Sequence, residues 1–126
     1  MTSRNLDSEY FEDNPLNHWA EKAGVLNTVR NILLTSIAKI LPMKIKNSLL
    51  RKIGLKIGED VAIALGVQVD IFYPGKISIG SGSVIGYGTT ILTHETTTER
   101  FSIGDVRIGE EVLIGANTTI LPGVEI

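Results

Sequence analysis

One histidine in this chain stands where imidazole can do chemistry. His94 closes the stretch Ile85-Gly-Tyr-Gly-Thr-Thr-Ile-Leu-Thr-His and is followed by a polar run from Glu95 to Val106. Imidazole titrates near pH 6.5, so it can take a proton from a hydroxyl and later return it, the work of a general base. Glu95 either orients the ring, binds an acceptor, or is a solvated loop acid, because neighbours in a strand point to opposite sides. Asp70 and Tyr73 mark a second, shorter irregular stretch and either touch acceptor hydroxyls or terminate a turn. His18, beside Trp19, reads as a structural or interface residue. With those two histidines far apart and no cysteine, a zinc site has little support.

The elements that must position these residues are written in the aliphatics. Isoleucine or valine recurs at six-residue intervals in three runs: Ile57, Ile63, Val69; Ile79, Ile85, Ile91; Ile108, Ile114, Ile120, Ile126. Four residues after most of them comes a small or β-branched residue, such as Val61, Ser83, Thr89 or Val112. Strands alternate with period two and helices with 3.6, so neither gives a period of six. Short strands joined by tight turns into a triangular coil give it, which predicts a parallel β-helix of three complete coils over 57–126. One coil of three hexapeptides takes about eighteen residues, so longer gaps mark insertions near 73–76 and 95–106. Both follow the third hexapeptide of a coil and leave near the same edge, His94 at the root of the larger. Regular stacking places Phe72 below His94 and Gly123 above it, and this column is the candidate active site.

Ahead of the repeat the chain changes character. Residues 1–20 are polar and read as an N-terminal arm. In 21–56, Val25, Val29, Ile32, Leu33, Ile37 and Ile40 fall at helical spacing, Pro42 ends that helix, and a second short helix runs to Gly54. From Arg30 to Lys56 there are seven basic residues and no acidic one. Three roles fit this basic amphipathic segment. Its apolar face packs on the end of the coil or on another subunit; it steers phosphates; or 30–56 makes a peripheral contact with an anionic membrane. A net charge of −2 gives no general case for nucleic acid. The absence of cysteine fits a reducing cytoplasm, the start does not read as a signal peptide, and the longest apolar stretch is too short to span a bilayer. Gly80-x-Gly82-x-x-x-Gly86 imitates a nucleotide loop, but no helix follows and hexapeptide turns account for its glycines.

The segment Ile108-Gly-Glu-Glu-Val-Leu-Ile-Gly-Ala-Asn-Thr-Thr-Ile-Leu-Pro-Gly-Val-Glu-Ile126, together with Ile85 to Glu95, resembles the hexapeptide-repeat acyltransferases. Within them it is most similar to the maltose/galactoside O-acetyltransferase-like group. The resemblance implies a left-handed hand for the β-helix, a homotrimer, and acetyl-coenzyme A as co-substrate. It implies His94 as base toward a sugar or glycoconjugate hydroxyl, with Ala116 and Gly123 as small residues lining the coenzyme A groove. The position of Leu113 is often tryptophan in the family, and relatives run on beyond Ile126, so a C-terminally truncated chain is expected. The function expected is O-acetyl transfer in the cytoplasm, at the inner membrane face if 30–56 docks. The alternatives are a non-catalytic scaffold or remnant, and a serine or amino-sugar N-acetyltransferase.

Overall fold

A computed structural model describes residues 4–126. Strand β1 (Asp7–Tyr10) and a 3-10 turn at Pro15–His18 lead into helices α1 (Trp19–Ala23), α2 (Val25–Ala38) and α3 (Met43–Lys52). Asn14 opens the turn by accepting from the Leu16 amide, and Pro15 supplies the fixed φ of its first position. The C-terminal part consists of short strands: β2 (Lys56–Ile57), β3 (Ala62–Ile63), β4 (Gln68–Val69), β5 (Ile77–Ile79), β6 (Val84–Ile85), β7 (Thr90–Ile91), β8 (His94–Thr96), β9 (Arg100–Ile103), β10 (Val106–Ile108), β11 (Leu113–Ile114) and β12 (Thr119–Ile120).

The left-handed parallel β-helix expected from the sequence is corrected here. The strands fall into four separate three-stranded sheets: parallel β10-β5-β2, β11-β6-β3 and β12-β7-β4, and antiparallel β1-β9-β8. No closed or coiled solenoid forms among the described residues, and three helices take up much of 19–52. Six-residue spacing fixes which aliphatics stack and leaves closure and hand unspecified. The strands of the three parallel sheets are only two or three residues long.

The aliphatic register is nonetheless visible in the pairing. Ile57 and Ile108 flank Ile79, Ile63 and Ile114 flank Ile85, and Val69 and Ile120 flank Ile91. All nine are buried in one hydrophobic cluster, with Ile85 and Ile91 fully so. Ser83 and Thr89 are fully buried and donate to the carbonyls of Gly109 (2.7 Å) and Gly115 (3.1 Å), so their hydroxyls stitch one repeat to the next. The turns explain the glycines: Gly82 has φ +76°, and the matching turns place Asp60 and Glu111 in the same left-handed region.

The side of the helices that meets the sheets carries polar residues. The face of α2 against the sheets is largely polar, with Thr28, Asn31 and Thr35 buried beside Ala38 and with Leu34 packed on the core, while Leu26, Val29, Leu33 and Ile37 face outward. Asn31 donates to the Ile71 carbonyl at 2.8 Å. From α3, Lys46 is buried and donates to the carbonyls of Ile63 (3.0 Å) and Ala64 (3.1 Å), while Asn47 donates to that of Val61 (2.7 Å). Burial holds the Lys46 ammonium below its ordinary pKa. Both helices therefore meet the sheets through side-chain donors to backbone carbonyls, as burial of polar groups demands, together with apolar contacts of Leu34, Ala38, Leu49 and Leu50 to the core.

Candidate active site

The edge strand β4 ends at Val69, and the next residue is Asp70, whose side chain has no exposed surface. Burial of a carboxylate is unfavourable unless donors surround it, and here they do. Oδ1 accepts from the backbone amides of Phe72 (2.8 Å) and Tyr73 (3.0 Å). Oδ2 accepts from those of Thr93 (3.0 Å) and His94 (3.2 Å), and bonds Nδ1 of the His94 ring. Burial alone would raise the Asp70 pKa, but the hydrogen bond and charge of His94 and the amides of Tyr73 and Thr93 outweigh it. The net effect holds Asp70 below the usual carboxylate range, so it stays ionised.

An ionised acceptor at Nδ1 selects the tautomer in which Nδ1 carries the hydrogen and the Nε2 lone pair is free. The ring is fixed on both sides by aromatics. Phe72 lies 4.7 Å away by ring centroids, and Phe101 of β9 stacks at 5.8 Å, nearly parallel at 15°. Trp19 stacks on Phe72 at 6.0 Å, and Tyr73 meets Phe101 edge-on at 6.4 Å. The His94 side chain keeps 19% exposure, and Nε2 has no hydrogen-bond partner among the described residues. A clamped imidazole with one nitrogen held by a buried carboxylate and the other open is built to accept a proton.

The insertions expected near 73–76 and 95–106 have definite forms. The first is a 3-10 turn at Pro74–Lys76. The second is a hairpin, β8 against β9, with His94 paired to Ile103; β1 adds to its far edge, Asp7 pairing with the same Ile103. Glu95 does not touch the imidazole. It is gripped by the Arg4 guanidinium, which donates to both of its carboxylate oxygens (2.8 and 3.1 Å), and by Arg100 (3.3 Å). The hydrogen bond to Glu95 raises the Arg4 pKa against the effect of burial. Glu95 thus ties the N-terminal arm to the hairpin.

Asp70, read from the sequence as either an acceptor contact or a turn residue, lies behind the histidine, with its Oδ1 accepting from the turn amides of Phe72 and Tyr73. Tyr73 flanks the cluster; burial and the Asp70 charge push its phenol up, so it stays protonated. Gly123 (φ +78°) packs beneath the arm, where a Cβ would come within 2.6 Å of the Asn5 carbonyl oxygen. It also lies against Gly104, whose amide donates to the Thr93 carbonyl at 3.0 Å. Ala116 is exposed and follows β11, in a different sheet from the one leading to His94. His18 bonds Asp13 (2.9 Å) and stacks on Phe11 at 4.5 Å, apart from the cluster; the Asp13 hydrogen bond raises its pKa. The residues that sequence reasoning passed over are Phe101 and the positioning role of Asp70. The signal for the second was an acid directly after the last aliphatic of the repeat preceding that of His94.

Curated bacterial proteins are similar over most of this chain. "Putative acetyltransferase YvoF" of Bacillus subtilis (strain 168) is 46% identical over 115 residues, covering 90% of this chain and 67% of that protein. This chain belongs to that acetyltransferase family. "Putative acetyltransferase SAR0816" of Staphylococcus aureus (strain MRSA252) is 44% identical over 92 residues, 71% of this chain and 57% of that protein. A third, "Putative acetyltransferase SA0717" of Staphylococcus aureus (strain N315), is 41% identical over the same length. The chain thus spans between somewhat over half and two thirds of the length of these relatives. No family model matches the chain, and no solved structure does. No helix among the described residues is long and apolar enough to cross a membrane.

Proposed function

We propose that this chain transfers acetyl from acetyl-CoA to a hydroxyl of a sugar or glycoconjugate, with His94 as general base. The observation that carries the reading is the imidazole held at Nδ1 by buried Asp70, with Nε2 open. His94 Nε2 takes the hydroxyl proton as that oxygen bonds to the acetyl carbonyl carbon. The same imidazolium then gives its proton to the departing sulfur as the carbon–sulfur bond breaks, leaving an ester and a free thiol. Asp70 supports the imidazolium without itself taking the proton. Family membership supports acetyl transfer; the hydroxyl acceptor rests on the resemblance drawn from the sequence. Ala116, exposed at its turn, suits close approach of a substrate chain, whereas Gly123 is covered by Asn5. Association into a homotrimer belongs to the same reading and is tested by mass in solution.

The test is an incubation of the chain with acetyl-CoA and a panel of hexosides, an amino sugar and serine, with free thiol release and product mass followed together. Acetyl ester on a hexoside is the expected product. Amide on the amino sugar alone, or no thiol release with any acceptor, would overturn the assignment.

A further inference from the structure

The outward side of α2 is an aliphatic face that nothing covers among the described residues. Leu26 is 86% exposed, Ile40 77% and Leu33 60%, and Val25 and Val29 extend the same face. The opposite side of the helix carries the polar residues that meet the sheets, so the apolar face is left unpartnered among the described residues. The surface continues into a cavity of about 480 Å³ between α2 and α3, floored by Leu34 and Leu49 and rimmed by Lys44 and Lys52. Continuous apolar surface of this kind marks a place where something binds.

Charge decides what. Between Glu21 and Glu59 the sequence has no acidic residue, and Lys44 and Lys52 are exposed beside the face. Two copies meeting through this face would bring cations against cations. A surface that offers hydrocarbon and negative charge together satisfies both features at once. We propose that α2 and the exposed edge of α3 dock this chain on an anionic lipid bilayer, α2 lying in the interface with its Leu26 and Leu33, and Ile40 just beyond it, in the acyl boundary and the cations among the headgroups. The docked helix is also tied to the candidate site, because Asn31 on its inner side holds the carbonyl of Ile71, the residue after Asp70. An acceptor held at a membrane would then meet a chain already seated there.

The test is co-sedimentation of the 126-residue chain with vesicles of phosphatidylcholine alone or mixed equally with phosphatidylglycerol, at low and physiological salt. The expected result is binding to the anionic vesicles that weakens as salt rises, with at least roughly tenfold weaker binding to neutral ones, since each cation near the surface contributes about fivefold. Leu26→Glu with Leu33→Glu should abolish binding, and Lys44→Glu with Lys52→Glu should weaken it roughly tenfold or more. Because these positions are exposed, circular dichroism should show both variants folded. Three results would overturn the proposal: no binding to anionic vesicles, equal binding by the Leu26/Leu33 variant, or a self-association in sedimentation velocity that this variant abolishes.

Discussion

Replacing Asp70 by asparagine removes one charge and one acceptor at the centre of the site, and the consequences can be worked through atom by atom. The carboxylate accepts four backbone amides and the imidazole. Asparagine keeps one oxygen. If it stays toward Phe72 and Tyr73, its amide NH2 faces the N–H groups of Thr93 and His94, leaving two buried donors without acceptors. At about 1–3 kcal/mol each, the folded state loses roughly 2–6 kcal/mol, a large part of a small domain's total. The same NH2 now points at Nδ1, which must become the acceptor, so the hydrogen moves to Nε2 and the base loses its lone pair. General-base catalysis is worth about 10²–10⁴ in rate, or roughly 3–5 kcal/mol of barrier. His94→Gln is the comparison: it removes the base and leaves the four backbone bonds to Asp70 in place. Both variants should lose transfer to a similar extent, and Asp70→Asn should be the less stable by at least about 1 kcal/mol. Urea melts read on Trp19, the single tryptophan, which stacks on Phe72 at 6.0 Å, give the stability; thiol release gives the rate. If Asp70→Asn keeps the rate within tenfold of the parent, or matches it in stability, the reasoning about this carboxylate fails.

Three further outcomes follow from the same geometry. Asp70 has a folded pKa below its unfolded value near 4, so its contribution to stability is complete above about pH 4 and is lost as pH falls through the lower folded value. Urea midpoints from pH 6 to pH 2 should show this acid loss in the parent and a shallower one in Asp70→Asn; identical slopes would count against it. Glu95→Gln should keep transfer within a fewfold of the parent, because Glu95 binds Arg4 and Arg100 and not the imidazole; a loss as large as that of His94→Gln would restore a catalytic role to it. Gly86→Ala should cost about 1–3 kcal/mol, since its Cβ would lie 2.6 Å from the Ala116 nitrogen. Gly115→Ala, whose Cβ would meet nothing within 4 Å, should be close to neutral, and equal melting of the two variants would contradict this packing.

The sequence disclosed the stacking register and the histidine beside Phe72, it misled on architecture, and it left open which helix face meets the sheets. Six-residue spacing of Ile57 through Ile120 names the buried residues because each repeat must send one aliphatic inward. It carries no information on whether two-residue strands join into a continuous coil. The helical spacing of Val25, Val29 and Leu33 located α2, yet the inward side is the one bearing Thr28, Asn31 and Thr35. Amphipathic periodicity says that two faces differ; which one meets the rest of the chain depends on unpaired carbonyls, such as that of Ile71, waiting for a donor. Phe72 was placed next to His94 by counting repeats, and the rings are indeed 4.7 Å apart. Phe101 could not be placed that way, because it reaches the ring only when 94–103 folds back as a hairpin. Asp70 was noticed as an acid at an insertion, but its role behind the imidazole depends on contacts across two repeats that composition does not record.

The most direct test of the account is the initial rate of acetyl transfer from acetyl-CoA to a hexoside panel by the parent chain and by His94→Ala, with both shown folded by circular dichroism. The account predicts thiol release by the parent and a loss of about 10²–10⁴-fold in the variant, with the acetyl-CoA Km little changed. A folded His94→Ala variant that transfers acetyl at the parent's rate would contradict it.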